Sequence, residues 1–444
     1  MVKNILKIIG LLSLVFLIML ISFVVYRQWK VAQLPEGLEE VADGDAIFWL
    51  MQKPTNRFMP CVVNYHFDKP LEETEILTRL KDLVANYQMF RRNVVVADGL
   101  PYWQSVVPDW TQNFQVLDSL DNLESIRIKA DFDISQASEL GQGLPLFRAY
   151  LSSNRQQLLF IWHHVLSDFE GMFNKHAKHL FKIDTERTRF GYQMNNKSKE
   201  GKLSQSLTGP LKFKYYTQPT RKKGFKKSDF EVKKIVLPIS DRELYELGKQ
   251  ADLPMSDIFS FIAMRAVTQY HEQNKDRHKE SIRPIFTPLS LRKNSLAIDE
   301  GNNRATKEFP LVFPLETPQV MHQRVVSLLP SSGSYESSGK TWKRLRQLSF
   351  LEASLIELSS PNYISNYFPL ADIPLNIGDA NLISHDLRVP MAPYEQTKFA
   401  WSNYDGAVQL YLHTDPVLMD RGLMKKSIEL AIQEVFQFLS IYKK

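Results

Sequence analysis

The 444-residue sequence predicts an α/β protein of two lobes behind an N-terminal membrane-spanning helix. Three observations predict it. A charge-free apolar run opens the chain. Strand-like and helix-like patterns alternate on both sides of a polar, basic stretch near the middle. With 44% hydrophobic and 23% charged residues, the composition is that of a folded chain, which excludes disordered, collagen-like and coiled-coil classes.

The opening run extends from Ile8 to Tyr26, diluted only by Gly10, Ser13 and Ser22. As a helix it would reach roughly 28 Å, close to the hydrocarbon thickness of a bilayer. Lys7 and Arg27 bracket it, and Tyr26 and Trp29 suit the interface. A cleaved signal peptide is the competing reading; the run is longer than a usual signal core, and no small-x-small cleavage site follows. Basic residues on both flanks leave the orientation open. We therefore divide the chain into an anchor (1–30), a first lobe (31–183), a basic linker or crossover (184–232) and a second lobe (233–444).

In the first lobe, residues 60–68 alternate as a strand, and Leu71, Ile76, Leu80, Val84 and Tyr87 recur at a helical period. Leu158 to Trp162 reads as a buried strand. Met172, Phe173, Ala177, Leu180 and Phe181 then mark a helix. Residues 184–232 break the pattern: between 187 and 227 they hold twelve basic side chains and one acid, Glu200. That linker reads either as a patch drawn to anionic headgroups or as a solvated loop. Its charge lifts the net value to +6, while the rest of the chain is mildly acidic, so nucleic acid is not the expected partner. In the second lobe, Val232–Leu237 reads as a strand, and 241–251 and 255–270 as helices, the second capped by Ser256 beside Asp257. Strands are expected near 283–288, 308–315, 373–377 and 407–413, with a mobile Ser/Gly loop at 331–340 and a helix at 420–441.

The chemistry concentrates in residues 158–172, LLFIWHHVLSDFEGM. An apolar strand ends in His163–His164, Asp168 follows, and a helix begins. Side chains alternate on a strand, so the two imidazoles cannot face the same way. One can enter a cleft as a general base for a hydroxyl proton, and the other is held elsewhere. Asp168 can fix the turn through backbone or arginine contacts. Paired histidines at a strand end also serve as plain polar caps. His176 and His179, three apart, would make a metal site with Asp168, but no HExxH pattern accompanies them and no metal is expected. A single cysteine, Cys61, excludes an internal disulfide, a thiolate zinc site and an iron–sulfur cluster. Nucleophile-elbow, Walker and GxGxxG patterns are absent.

The His-His-x-x-x-Asp segment resembles the signature of the chloramphenicol acetyltransferase-like superfamily, which includes condensation domains and plant acyltransferases. Further landmarks resemble its wax ester synthase/diacylglycerol acyltransferase group in order. They are Asp45-Ala46-Ile47-Phe48 with Met59, Phe90-Arg91-Arg92, Pro145-Leu146-Phe147, Ser256-Asp257, Pro288 to Arg292 with Gly301-Asn302, and Asn376-Ile377-Gly378. The chain departs from that pattern at Phe169, where the group has glycine, with Gly171 two residues later. The resemblance implies two chloramphenicol acetyltransferase-like lobes with a tunnel between them.

It also implies roles. His164 would be the general base, His163 structural, Asp168 loop-orienting and Arg292 its partner. Pro145, Phe147, Phe169, Gly171, Ser290, Asn302, Asn376 and Gly378 would contact substrate, with oxyanion donors near Asn376. No cofactor is implied beyond acyl-CoA as co-substrate. The acceptor would be a long-chain alcohol or diacylglycerol met in the membrane, with the body on the cytosolic face. A carrier-protein thioester donor, or a catalytically silent lipid-binding protein, are the alternative readings.

Overall fold

The structure is a computed structural model. It describes residues 37–42, 60–97, 100–120, 145–183, 231–274, 284–290, 304–328, 362–370, 374–391 and 395–442, with parts of 14–29, 45–49 and 122–130. The strands are β1 (Leu38–Glu40), β2 (Pro60–Phe67), β3 (Arg92–Ala97), β4 (Leu100–Ser105), β5 (Phe114–Leu117), β6 (Phe147–Ser152), β7 (Gln157–His163) and β8 (Glu231–Ser240). They continue with β9 (Ile285–Ser290), β10 (Arg304–Phe309), β11 (Tyr363–Pro369), β12 (Asn376–Ile377), β13 (Ala380–Arg388), β14 (Thr397–Tyr404) and β15 (Ala407–Thr414). The helices used below are α1 (Glu73–Asn86), α2 (Phe169–His179), α3 (Asp241–Gln250), α4 (Met255–Gln273), α5 (Pro318–Ser327) and α6 (Arg421–Ser440).

Two six-stranded sheets organise the chain, in the orders β12-β13-β2-β7-β6-β5 and β10-β9-β11-β14-β15-β8; β1, β4 and β3 form a small third sheet. Both large sheets are mixed: β5–β6 in the first, and β9–β11 and β11–β14 in the second, are parallel pairs. The first sheet buries Phe147, Phe160, Trp162 and Tyr65 beneath α1 and α2. Ile76, Leu80, Leu83 and Val84 turn one stripe of α1 onto it, at the spacing of a helix face. The second sheet packs Phe399, Trp401, Leu410 and Leu412 against α4 and α6. α4 is buried on every side from Met255 to His271, its polar side chains paired within the protein, and it forms the centre of that half.

The topology crosses the boundary drawn at residue 233. β13 and β12 belong by sequence to the second half but pair into the first sheet, β13 lying antiparallel to β2. From there β13 also touches the second sheet: Lys234 on β8 donates to the His385 carbonyl at 3.1 Å and to Asp386 at 3.2 Å, and the His385 ring meets the Ser402 hydroxyl at 2.9 Å. One strand thus ties the sheets together, and the span 233–444 is not confined to one of them.

Other differences have local causes. The expected strand at 308–315 lies at 304–309, because Pro310 and Pro314 bring no N–H to a ladder. The strand near 373–377 shortens to Asn376–Ile377. Ser256 does not cap α4; Pro254 occupies that position with φ −60°, and the Ser256 hydroxyl donates instead to Asp257 at 3.4 Å. Asp257 is buried with Lys307, its Oδ2 accepting from the ammonium at 2.6 Å. The linker up to residue 230 and the loop at 331–340 lie outside the described residues, as does most of the run 8–26. Among the described residues no helix is long and apolar enough to cross a membrane.

Candidate active site

The loop between β7 and α2 is locked by its own backbone and by Trp162. The Leu166 N–H donates to the His163 carbonyl at 3.0 Å, and the Trp162 indole N–H to the Ser167 carbonyl at 3.0 Å. Asp168 caps α2: it is buried, and its Oδ1 accepts the Gly171 N–H at 2.8 Å. A carboxylate there meets a free backbone donor and the positive end of the helix dipole. This is one of the two contacts expected of Asp168. Its other expected partner, Arg292, lies outside the described residues, as does Asn302. Ser290 ends β9 opposite Arg304, and its side chain is not described.

The two histidines part because β7 ends at His163 and the turn begins at His164. His163 takes the last rung of the β2–β7 ladder, opposite Pro60. Its ring is buried against Trp49 at 5.0 Å, and its Nδ1 accepts the Val165 N–H at 3.1 Å. Burial, and then the adjacent charge of His164, push its pKa down to about 3, so the ring is neutral. With Nδ1 accepting, the proton sits on Nε2. His164 stands in the turn, partly exposed, its Nδ1 inside. Its ring lies flat on Phe48, centroids 3.7 Å apart and planes 8° apart. It is neither on the outer surface nor sealed in.

Pro145, Phe147, Phe169 and Gly171 lie close to the loop and are buried, the Leu146 carbonyl accepting the His163 N–H at 3.0 Å. Phe147 has no accessible surface: it stacks on Phe160 at 5.7 Å and meets Phe90 edge-on at 5.4 Å, as a core residue. Pro145 is buried, its carbonyl accepting from Arg148 at 2.9 Å. Phe169 is wholly buried too. Its ring fills the junction of the two sheets, 4.8 Å from Trp162 and 4.7 Å from Phe368 at the end of β11. Its bulk is therefore used at the junction of the two sheets. Gly171 serves through its backbone N–H.

Asn376 and Gly378 are misplaced for any oxyanion role. They flank the turn into β13 whose first residues align with Phe67 and Asp68, at the Gln157 end of β7. A strand of that length sets them on the order of 20 Å from His163. Gly378 has φ +57°, and a Cβ there would meet Glu75 at 3.0 Å, so glycine serves the turn.

His176 and His179 point apart. His176 Nδ1 meets the Tyr65 hydroxyl at 2.9 Å; His179 bonds Asp82 at 2.6 Å and the Tyr87 hydroxyl at 3.1 Å. Among the described residues no three His, Cys, Asp or Glu side chains converge as a metal site.

Two contributors lie outside the roles read from the sequence. Phe48 and Trp49 reach both histidines from more than a hundred residues upstream, and no local pattern announces such a contact. β11, which brings Phe368 to the loop, carried a readable signal in its aromatic and β-branched residues, Tyr363, Ile364, Tyr367 and Phe368.

No family model and no curated protein matches the chain. Solved structures do. A variant of the starter condensation domain of rhizomide synthetase RzmA, solved with C8-CoA and Leu-SNAC, is 12% identical with TM-score 0.59, over 91% of this chain and 95% of that one. The first condensation domain of the CDA synthetase is 14% identical with TM-score 0.56, over 90% and 96%. The chain has the condensation-domain fold. SgcC5 from Streptomyces globisporus is also similar, at 14% identity and TM-score 0.54 over 90% of this chain and 98% of that one. These likenesses show the fold expected from the motifs and say nothing of its wax ester synthase branch.

Proposed function

We propose that this condensation-fold chain is an acyltransferase in which His164 removes the proton of an acceptor hydroxyl and the oxygen attacks a thioester directly. The observation that carries this reading is the partly exposed His164 ring, placed by a locked loop beside a buried, neutral His163. With Nδ1 turned inward, Nε2 is the edge that receives the proton. The new C–O bond forms as the C–S bond breaks, and the thiolate leaves with the proton that the imidazolium returns. No acyl-enzyme is needed, in keeping with the buried state of the one thiol, Cys61. Asp168 holds the turn, and Arg292 is its proposed further partner.

The proposed donor is acyl-CoA, and the acceptor a long-chain alcohol or diacylglycerol. The apolar run 8–26 supports the lipid acceptor by proposing a membrane anchor, with the body on the cytosolic face where acyl-CoA resides. Within and just after that run, Leu14, Ile18, Met19, Ile21, Val25, Tyr26 and Trp29 are helical and at least half exposed, as side chains facing lipid would be.

The test gives full-length protein in phospholipid vesicles palmitoyl-CoA with hexadecanol or diacylglycerol. The expected result is an ester that disappears in His164→Ala. Ester formed only from a carrier-protein thioester would replace the donor. Bound lipid with no CoA release, unchanged in His164→Ala, would replace the enzyme by a lipid-binding protein.

A further inference from the structure

Phe48 does more than fill space beside His164. Two rings with centroids 3.7 Å apart and planes 8° apart share a face. A benzene face carries negative potential, so a positive ring resting on it is stabilised. When His164 takes a proton it becomes such a ring, at the moment the hydroxyl is being deprotonated. Phe48 is set in advance for this. Asp45 and Ala46 N–H groups bond back to the Ala42 carbonyl at 3.1 and 2.8 Å, and the strap before them is held by the β1–β4 ladder and an ion pair between Glu39 and Arg92. Phe48 and Trp49 are themselves buried.

We propose that Phe48 is the positioning residue of the reaction: its ring fixes the plane of the His164 imidazole and stabilises the imidazolium formed on proton abstraction. Resting on the reading of His164 as base, the proposal adds a group that sets how strong a base it is. Among the described residues, the charged or titratable groups on the elements packed at this ring are Asp45 on the strap, His163 at the end of β7, and Asp168 and Glu170 at the start of α2. From β11 the nearest contribution to the loop is the uncharged Phe368. All of these side chains are retained in the Phe48 variants.

The experiment is an NMR titration of the His164 ring in full-length protein labelled on histidine, assigned by comparison with His164→Gln. It is run on the wild type, Phe48→Leu and Phe48→Tyr. The expected result is a His164 pKa lower by about half to one unit in Phe48→Leu, and restored in Phe48→Tyr, which keeps the aromatic face. In ester-forming assays the acid limb of the pH profile moves by the same amount in the same direction. Phe48→Met carries the comparison if Phe48→Leu does not fold. A Leu or Met variant that titrates with the wild type, or a Tyr variant shifted as far as Leu, overturns the proposal. The titration needs no substrate, so the outcomes separate. A shifted pKa without ester formation sustains the stack and removes acyl transfer. His164-dependent ester formation with an unmoved pKa does the reverse.

Discussion

The two large sheets have the same number of strands and a similar mix of directions, yet they are used differently. The first ends its β7 strand in an imidazole pair and gathers buried, neutral histidines: His163 on β7, His176 on α2 and His385 on β13, each held at about 3 chiefly by burial. The second wraps an α4 helix buried on all sides, with Trp401 stacked on Phe259 at 4.6 Å and the ion pair of Asp257 with Lys307 at the helix start. The comparison teaches that a repeated architecture does not repeat chemistry. In the proposed reading, reactivity follows from the strand end that is left partly open, and the other sheet meets that end through Phe368 and β13.

Acid should break the comparison most strongly. A histidine whose folded pKa lies near 3 and whose unfolded value is about 6.5 contributes stability above pH 6.5 that is lost as pH falls toward 3, because the unfolded chain binds the proton first. Each of the three contributes up to about 1.4 kcal/mol per pH unit in that window. Urea unfolding at pH 7 and pH 5 should therefore show a large loss. Amide exchange should report it first on β2, β7 and α2, before α4. Equal loss in both halves would erase the distinction.

A smaller effect comes from the scaffold side. Trp401→Ala should cost about 3–5 kcal/mol, since the ring is fully buried and stacked. In whatever fraction remains folded, the His164 titration should be unchanged; a shift there would mean that the second sheet tunes the ring.

The smallest loss in stability is expected at the turn. Asp168→Ala should cost about 1 kcal/mol through the lost cap, measured by denaturant midpoint. Its effect on activity should exceed its effect on stability, because the freed turn is the one that carries His164.

Much of this was legible in the sequence where the signal is local. The stripe Ile76, Leu80, Val84 gave α1, the run Leu158 to Trp162 gave β7, and the helix expected at 420–441 is α6. Strand alternation predicts that His163 and His164 part, and they do so because β7 ends at His163 and His164 opens the turn. What escaped was long-range. β13 carries a buried histidine at position 385, and nothing in its pattern says that it pairs with β2 more than three hundred residues earlier. The short Asn-Ile-Gly stretch matched a motif by order, yet pairing register carries it to the wrong end of the sheet. β10 reads as polar because Lys307 is buried through Asp257, a compensation that no single strand reveals.

The most direct measurement is acceptor-dependent release of CoA by full-length wild-type protein, His164→Ala and His163→Ala in the same vesicles, each first shown to be folded. The account predicts a loss of at least about a hundredfold in His164→Ala, the scale of a removed general base. Release that persists in His164→Ala at the wild-type rate would contradict it.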